Sequence, residues 1–334
     1  MLIWSQFVVC LVVIGLAGVK LSRYGDAIAD KTGLGGTRVG LILLATVTSL
    51  PELLTGVSSV TIADVPDIAV GDVLGSCVFN LLILVVLDFI YRVESVYTRA
   101  HQGHILSAGF GVMLIGLTGF SILLSSTGLS FAIGHVGGYS LFIVVLYVVA
   151  IATVFRYEQR QLEALVEAEA DRYPGVSQRQ LLLRFAFAAV FVVVAAIWLP
   201  FIAKGIAQQM GWYESFVGTL LVALATSIPE LVVTIAALQL GAIDMAIANL
   251  LGSNLFNILV LAVDDVLYTE GPLLAHVSSI HAISALSAVM MTGVAIVALL
   301  YRAQKRVLKT VGWASIVLAV IYLTNSYVIY LHGG

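Results

Sequence analysis

The chain has 334 residues, 60 % hydrophobic and only 10 % charged, with a net charge of −3 and a mean hydropathy of +1.07. A soluble globular chain is usually about a quarter charged, so that class is excluded, and with no basic cluster a nucleic-acid partner is not expected. Apolar runs of about 18 residues or more recur along nearly the whole length and predict an all-α polytopic protein with the lipid bilayer as its solvent.

Ten spans are expected, at 3–20, 33–61, 67–92, 104–124, 127–155, 181–206, 212–240, 242–268, 277–301 and 308–331. No positive charge precedes the first, which therefore reads as a span rather than a cleaved signal. Cys10 and Cys77 both lie in apolar runs, so a disulfide framework is not indicated. Of the sixteen Lys and Arg, fifteen fall in or beside the loops after spans 1, 3, 5 and 9, and only Lys204 falls on the other side. The positive-inside rule makes those loops cytoplasmic and puts both termini on the non-cytoplasmic side.

Two halves follow, 1–155 and 181–334, joined by a charged cytoplasmic connector at 156–180. That connector reads as a short helix and a turn at Pro174-Gly175, a solvated link rather than a folded or regulatory domain. Five spans per half is an odd number, so the second half enters the membrane upside down. The expected fold is thus ten transmembrane helices in two inverted-topology repeats of five, a plan in which secondary transporters place their sites at the midplane on interrupted helices.

Within the halves two blocks recur. Residues 45–52 read Ala-Thr-Val-Thr-Ser-Leu-Pro-Glu, and 223–230 read Ala-Leu-Ala-Thr-Ser-Ile-Pro-Glu. Residues 71–80 read Gly-Asp-Val-Leu-Gly-Ser-Cys-Val-Phe-Asn, and 248–257 read Ala-Asn-Leu-Leu-Gly-Ser-Asn-Leu-Phe-Asn. Glu52 and Glu230 are 178 residues apart and Asn80 and Asn257 are 177 apart, so the register holds to one residue. A carboxylate at mid-span is costly and marks a functional site. Helical spacing stacks Thr48 over Glu52, Thr226 over Glu230, Ser76 over Asn80 and Ser253 over Asn257. Pro51 and Pro229 lack an N–H and should free the carbonyls of Val47 and Ala225. An inventory of carboxylate, hydroxyl, amide and carbonyl oxygens suits hard cations such as Ca²⁺ or Na⁺.

These paired blocks resemble the alpha repeats of the calcium/cation antiporter superfamily, which includes sodium/calcium and proton/calcium exchangers. The resemblance implies a Ca²⁺ antiporter rather than an enzyme, with Na⁺ or H⁺ as counter-ion and no bound cofactor. It implies that Glu52, Thr48 and Ser49, with Glu230, Thr226 and Ser227, bind the transported ions, and that Ser76, Asn80 and Ser253 are further ligands. At Asn257 sodium/calcium exchangers often carry Asp; this departure brings protons forward as counter-ion and keeps Asn257 itself among the candidates.

Asp72 has Asn249 as its mate and is a candidate third negative charge near the site, with a carboxylate solvated in the outer vestibule as the alternative. Asp88 and Asp265 match one another and are expected to be solvated span ends. The six His show no duplicated pattern and are assigned no role, and Cys77 is expected to pack. A channel is the other transport class, since broken helices and buried acids also build pores; an intramembrane hydrolase lacks a second acid or His at catalytic spacing. The order of assembly is open.

Overall fold

The computed structural model describes residues 2–31, 45–91, 94–101, 103–162, 177–302 and 311–333. In chain order its main helices are α1 (Leu2–Lys31), α2 (Leu50–Ser58), α3 (Pro66–Ile90), α4 (His104–Ser126), α5 (Gly138–Leu162) and α6 (Gln178–Met210). There follow α7 (Glu214–Thr226), α8 (Ile228–Gln239), α9 (Ile243–Leu267), α10 (His281–Tyr301) and α11 (Trp313–His332). Eight of these are long and apolar enough to cross a membrane, and nine if the bent pair α7–α8 counts as one. The ten expected spans are thus not all found: α2 with its π-helical extension, Leu50–Ala63, is a short apolar helix, and 33–44 lie outside the described residues. Most of the 156–180 connector also lies outside them, since 163–176 are not described.

One span begins later than its apolar run suggests. The run from 127 is interrupted by a two-stranded hairpin, Ala132–Ile133 with Val136–Gly137, and α5 starts only at Gly138. Gly134 turns the hairpin at φ +67°, a conformation glycine adopts without a Cβ clash.

The polarity of the molecule is reversed relative to a soluble domain. Large apolar side chains such as Phe142, Phe187, Val194 and Leu323 face outward, while Thr48, Glu52, Asp72, Asn80, Glu230 and Asn257 are wholly buried. Lipid rewards that arrangement, because apolar surface costs nothing there and polar groups need internal partners. The two helices with most of their length buried are α3 and α9, which pack on each other. A glycine step lets α3 close against α7: a Cβ at Gly75 would lie 2.3 Å from the Thr219 carbonyl oxygen.

Buried carboxylates fasten the frame. Asp88 is not a solvated span end: it is wholly buried and accepts from Ser95 Oγ (3.0 Å), Val96 N (3.3 Å), Gly312 N (2.6 Å) and Ser315 Oγ (2.8 Å). Asp265, also wholly buried, accepts from Leu273 N (2.7 Å), Gly137 N (2.8 Å), Tyr139 Oη (2.5 Å) and Ser140 Oγ (2.5 Å). Each therefore holds the start of the last helix of the opposite half, α11 or α5, through a Gly N–H and a Ser hydroxyl three residues on. Such a charge-accepting cluster is how a buried anion is satisfied.

The histidines need the same correction. His104 and His281 stand 177 residues apart, the register that also relates Asp67 to Asp244. His104 Nε2 meets Asp244 Oδ1 at 2.8 Å, and His281 Nε2 meets Asp67 Oδ1 at 2.9 Å. Each pair ties the first turn of a motif helix, α9 or α3, to a helix of the other half. The signal was present in the sequence and hidden by the distance between His and Asp along the chain. Lys204, the one basic residue outside the expected cytoplasmic loops, donates to Ala63 O at 2.9 Å and so caps the end of the α2 extension.

Candidate functional site

At both Thr-Ser-x-Pro-Glu blocks the helix breaks where proline forces it to. Ser49 (φ −89°, ψ 13°) and Ser227 (φ −88°, ψ 7°) leave the helical region one residue before α2 and α8 begin. In the second half α7 and α8 meet at a 44° bend. Main-chain bonds flank the gap, Ser49 N to Ala45 O and Leu53 N to Ser49 O, with Ser227 N to Ala223 O and Leu231 N to Ser227 O in the other copy. Pro51 and Pro229 cannot donate to Val47 and Ala225, so the ladder opens where the expectation put it.

The breaks turn two serines outward from their own helices, and each serves the opposite half. Ser49 Oγ donates to Glu230 Oε1 at 2.8 Å, and Ser227 Oγ donates to Glu52 Oε1 at 3.1 Å. The second blocks close the ring. Ser253 Oγ reaches Glu230 Oε1 at 3.4 Å and Thr48 Oγ1 at 3.4 Å, while Ser76 Oγ receives the Ser227 hydroxyl at 2.9 Å and lies 3.5 Å from Thr226 Oγ1. Thr48, Ser49, Glu52, Ser76, Thr226, Ser227, Glu230 and Ser253 are all wholly buried and belong to this one cluster.

Asp72 is not in a solvated vestibule; it is wholly buried and joins the cluster. Thr226 Oγ1 donates to Asp72 Oδ1 at 2.8 Å, and Ser76 Oγ does so at 3.5 Å. Its mate Asn249 accepts from Thr48 Oγ1 at 3.4 Å and donates to Thr234 Oγ1 at 3.2 Å. The two positions accept from equivalent threonines, and one carries a carboxyl where the other carries an amide that Thr234 satisfies.

The two motif asparagines part company. Asn80 Nδ2 donates to Asn254 Oδ1 at 3.0 Å, and Asn254 Nδ2 donates to the Cys77 carbonyl at 3.2 Å, so Asn80 helps to join α3 to α9 as well as offering its own oxygen. Cys77 packs at that crossing, as expected, with Sγ 3.9 Å from the Asn254 carbonyl. Asn257 is wholly buried with neither Oδ1 nor Nδ2 hydrogen-bonded.

What remains unpaired defines what the chamber can do. Glu52 Oε2, Glu230 Oε2, Asp72 Oδ2, Asn80 Oδ1 and Asn257 Oδ1 are buried without a hydrogen-bond partner. Buried polar atoms are normally paired, so these five open acceptor oxygens are groups that a cation could satisfy. Among the described residues no three His, Cys, Asp or Glu side chains group as a metal-holding cluster. The donor set is instead mixed: carboxylate, hydroxyl and amide oxygens, suited to hard cations in a site that is not a tight cage.

A model of the sodium/calcium exchanger protein family matches residues 2–156 and 180–330, both halves of the chain. The chain belongs to that family. The exchangers are transporters, and the chain is accordingly a multi-pass integral membrane protein. Inner membrane protein YrbG of Escherichia coli (strain K12) is 27 % identical over 270 residues, covering 78 % of this chain and 80 % of that protein. The solved H⁺/Ca²⁺ exchanger CAX has a similar fold, with a TM-score of 0.71 at 14 % identity over 98 % of this chain and 85 % of that one. The sodium-calcium exchanger NCX_Mj gives a TM-score of 0.61 at 21 % identity, over 97 % of each chain. At those identities the likeness to the two structures shows the fold, an all-helical polytopic membrane architecture shared by exchangers of both coupling types.

Sequence reading gave no role of their own to Asn249 and Asn254, the mates of Asp72 and Cys77, and did not single out Thr234; Asn249 bonds Thr48 and Thr234, and Asn254 bonds Asn80. It also missed Asp264, next to the residue that drew notice. An acid inside an apolar span was the available signal, and the 177-residue register gives it Leu87 as a mate rather than another acid.

Proposed function

We propose that the chain is a secondary antiporter that moves Ca²⁺ across the membrane in exchange for Na⁺, by alternating access at the chamber around Glu52 and Glu230. The reading rests on the reciprocal exchange of hydroxyls: Ser49 serves Glu230, Ser227 serves Glu52, and each Glu keeps a buried oxygen unpaired. A site completed by both halves changes shape when one half moves against the other, as alternating access requires. The same reciprocity supports two inverted repeats of five spans, 1–155 and 181–334, with both termini on the non-cytoplasmic side. In this reading Thr48, Ser49, Glu52, Asp72, Ser76, Asn80, Thr226, Ser227, Glu230, Ser253 and Asn257 bind the transported cations.

Exchange follows from charge. Two carboxylates ~6 Å apart at an effective dielectric of ~20 repel by roughly 3 kcal/mol, and burial adds a desolvation cost. The empty, doubly ionised chamber is a poor species to carry across the occluded state, so cations must fill it in both directions. Mg²⁺ holds its waters and fits a site without a water-rich cage poorly.

Proton coupling is the second reading, favoured by Asn257, which gives an uncharged amide where the sodium/calcium exchangers often carry Asp. Purified protein in Ca²⁺-loaded vesicles separates the two. Ca²⁺ flux driven by a Na⁺ gradient at equal pH supports the first, and flux driven only by a pH gradient replaces it with the second. Currents far above carrier rates would move the chain to the channel class.

A further inference from the structure

Adjacent residues near the end of α9 have opposite fates. Asp265 accepts four hydrogen bonds from the surrounding frame. Asp264 is just as buried, yet neither of its carboxylate oxygens meets a donor. Its carboxylate lies against Gly56, where a Cβ would sit 2.3 Å from Oδ2, so the missing side chain makes the room it occupies. The charges acting on it through space are those of Asp72 and Asp265, both of its own sign. A buried carboxylate with no donor and anionic neighbours is the arrangement proteins avoid unless a cation visits.

Its place in the fold says which cation. Gly56 is one turn beyond Glu52 on α2, ~6 Å along the axis. Asp264 is seven residues beyond Asn257 on α9, ~10 Å toward the same end. Asp72 stands within two turns of the start of α3, just after the loop that follows α2, and its Oδ2 is likewise buried and unpaired. Helices α2, α3 and α9 pack mutually. Among the described residues, the buried open carboxylate oxygens of Asp72 and Asp264 thus lie toward the face at which α2 and α9 end. The 177-residue register gives each of these acids an uncharged mate in the opposite half, Leu87 for Asp264 and Asn249 for Asp72.

We propose that Asp264 is a second cation station, which holds the transported Ca²⁺, still partly hydrated, between the chamber and that face, with Asp72 next along the path. One carboxylate makes a waiting place rather than a cage. The inference rests on the antiporter reading above.

The test is sidedness. In vesicles with a single known orientation, initial Ca²⁺ exchange is measured with Ca²⁺ varied at one face and then at the other, for wild type, Asp264→Asn and Gly56→Ala. Asp264→Asn keeps size and loses charge; Gly56→Ala keeps the acid and displaces it. Both are expected to raise half-saturating Ca²⁺ by about tenfold or more at the face where α2 and α9 end, and to leave the other face unchanged, since the lost charge lies on one approach only. Wild-type values at both faces, or an equal shift at both, overturn the proposal. Should Asp264→Asn not assemble, Gly56→Ala decides the matter by the same readout. Wild type that exchanges no Ca²⁺ under any gradient defeats the antiporter reading itself, a different result from a functional exchanger indifferent to Asp264.

Discussion

Replacing Asp72 by Asn gives the first half the residue that the second half carries at Asn249. The amide oxygen can still accept from Thr226, whose hydroxyl now lies 2.8 Å from Asp72 Oδ1, so the frame should hold. What disappears is one charge. Three hydrogen-bonded steps, Asp72 to Ser76 to Ser227 to Glu52, join it to the chamber. A cation at the open oxygen of Glu52 is then ~8 Å from Asp72, worth about 2 kcal/mol for a monovalent and about 4 kcal/mol for a divalent ion at an effective dielectric of ~20. Since each 1.4 kcal/mol is about tenfold, Asp72→Asn should weaken Ca²⁺ roughly 30-fold more than a monovalent ion. Equilibrium binding of Ca²⁺ to detergent-purified protein, alone and in competition with Na⁺, reads this ratio directly. Equal weakening of both ions would mean that Asp72 acts by shape and not by charge; wild-type affinity for both would remove it from the site.

Three further outcomes are expected. Glu52→Gln and Glu230→Gln keep an acceptor oxygen for Ser227 and Ser49 but lose the anion; vesicle flux should fall more than about 100-fold in each, because an uncharged chamber loses its strongest ligand, and flux near wild type in either variant contradicts the assignment. Asp265→Ala strips the partners from four donors at and around the α5 start; bonds to a charged acceptor are each worth about 1.5–3 kcal/mol, so thermal unfolding in detergent should move down by many degrees, and an unchanged midpoint refutes the anchoring role. His281→Ala should destabilise more than His104→Ala in the same assay, because the partner of His281 is 27 % exposed and that of His104 is 58 % exposed, and exposed pairs contribute little; the reverse order would count against the two pairs acting as latches.

The parts of this molecule legible in the sequence were those that depend on local rules. Proline cannot donate to the carbonyl four residues back, which placed the breaks at the Pro51 and Pro229 blocks from local chemistry alone, although Pro200 stands inside the continuous α6. Duplication did the rest at Glu52 and Glu230. Legibility failed where a side chain's state is set by partners remote in sequence. Asp88 and Asp265 look like solvated span ends along their own helices and are bound by donors more than a hundred residues away. His104 and His281 looked isolated because their partners lie 140 and 214 residues away. The late start of α5 was missed because an apolar run does not report the glycines that turn it into a hairpin.

The two departures from symmetry, Asp72 and Asp264, fall on the same side of the chamber, and that limits what they can do. Around a closed transport cycle the free energy of exchange is fixed by the ion gradients, so fixed charges on one approach cannot set its direction. They can lower the free energy of a cation waiting at that face, which changes how much Ca²⁺ is needed there and how quickly it enters. A chain whose halves were electrically equal would bind Ca²⁺ alike from both faces, apart from the two conformations themselves. This one, with two extra carboxylates toward the end of α9, should show a higher apparent Ca²⁺ affinity at that face than at the other, and Asp72→Asn combined with Asp264→Asn should bring the two values together.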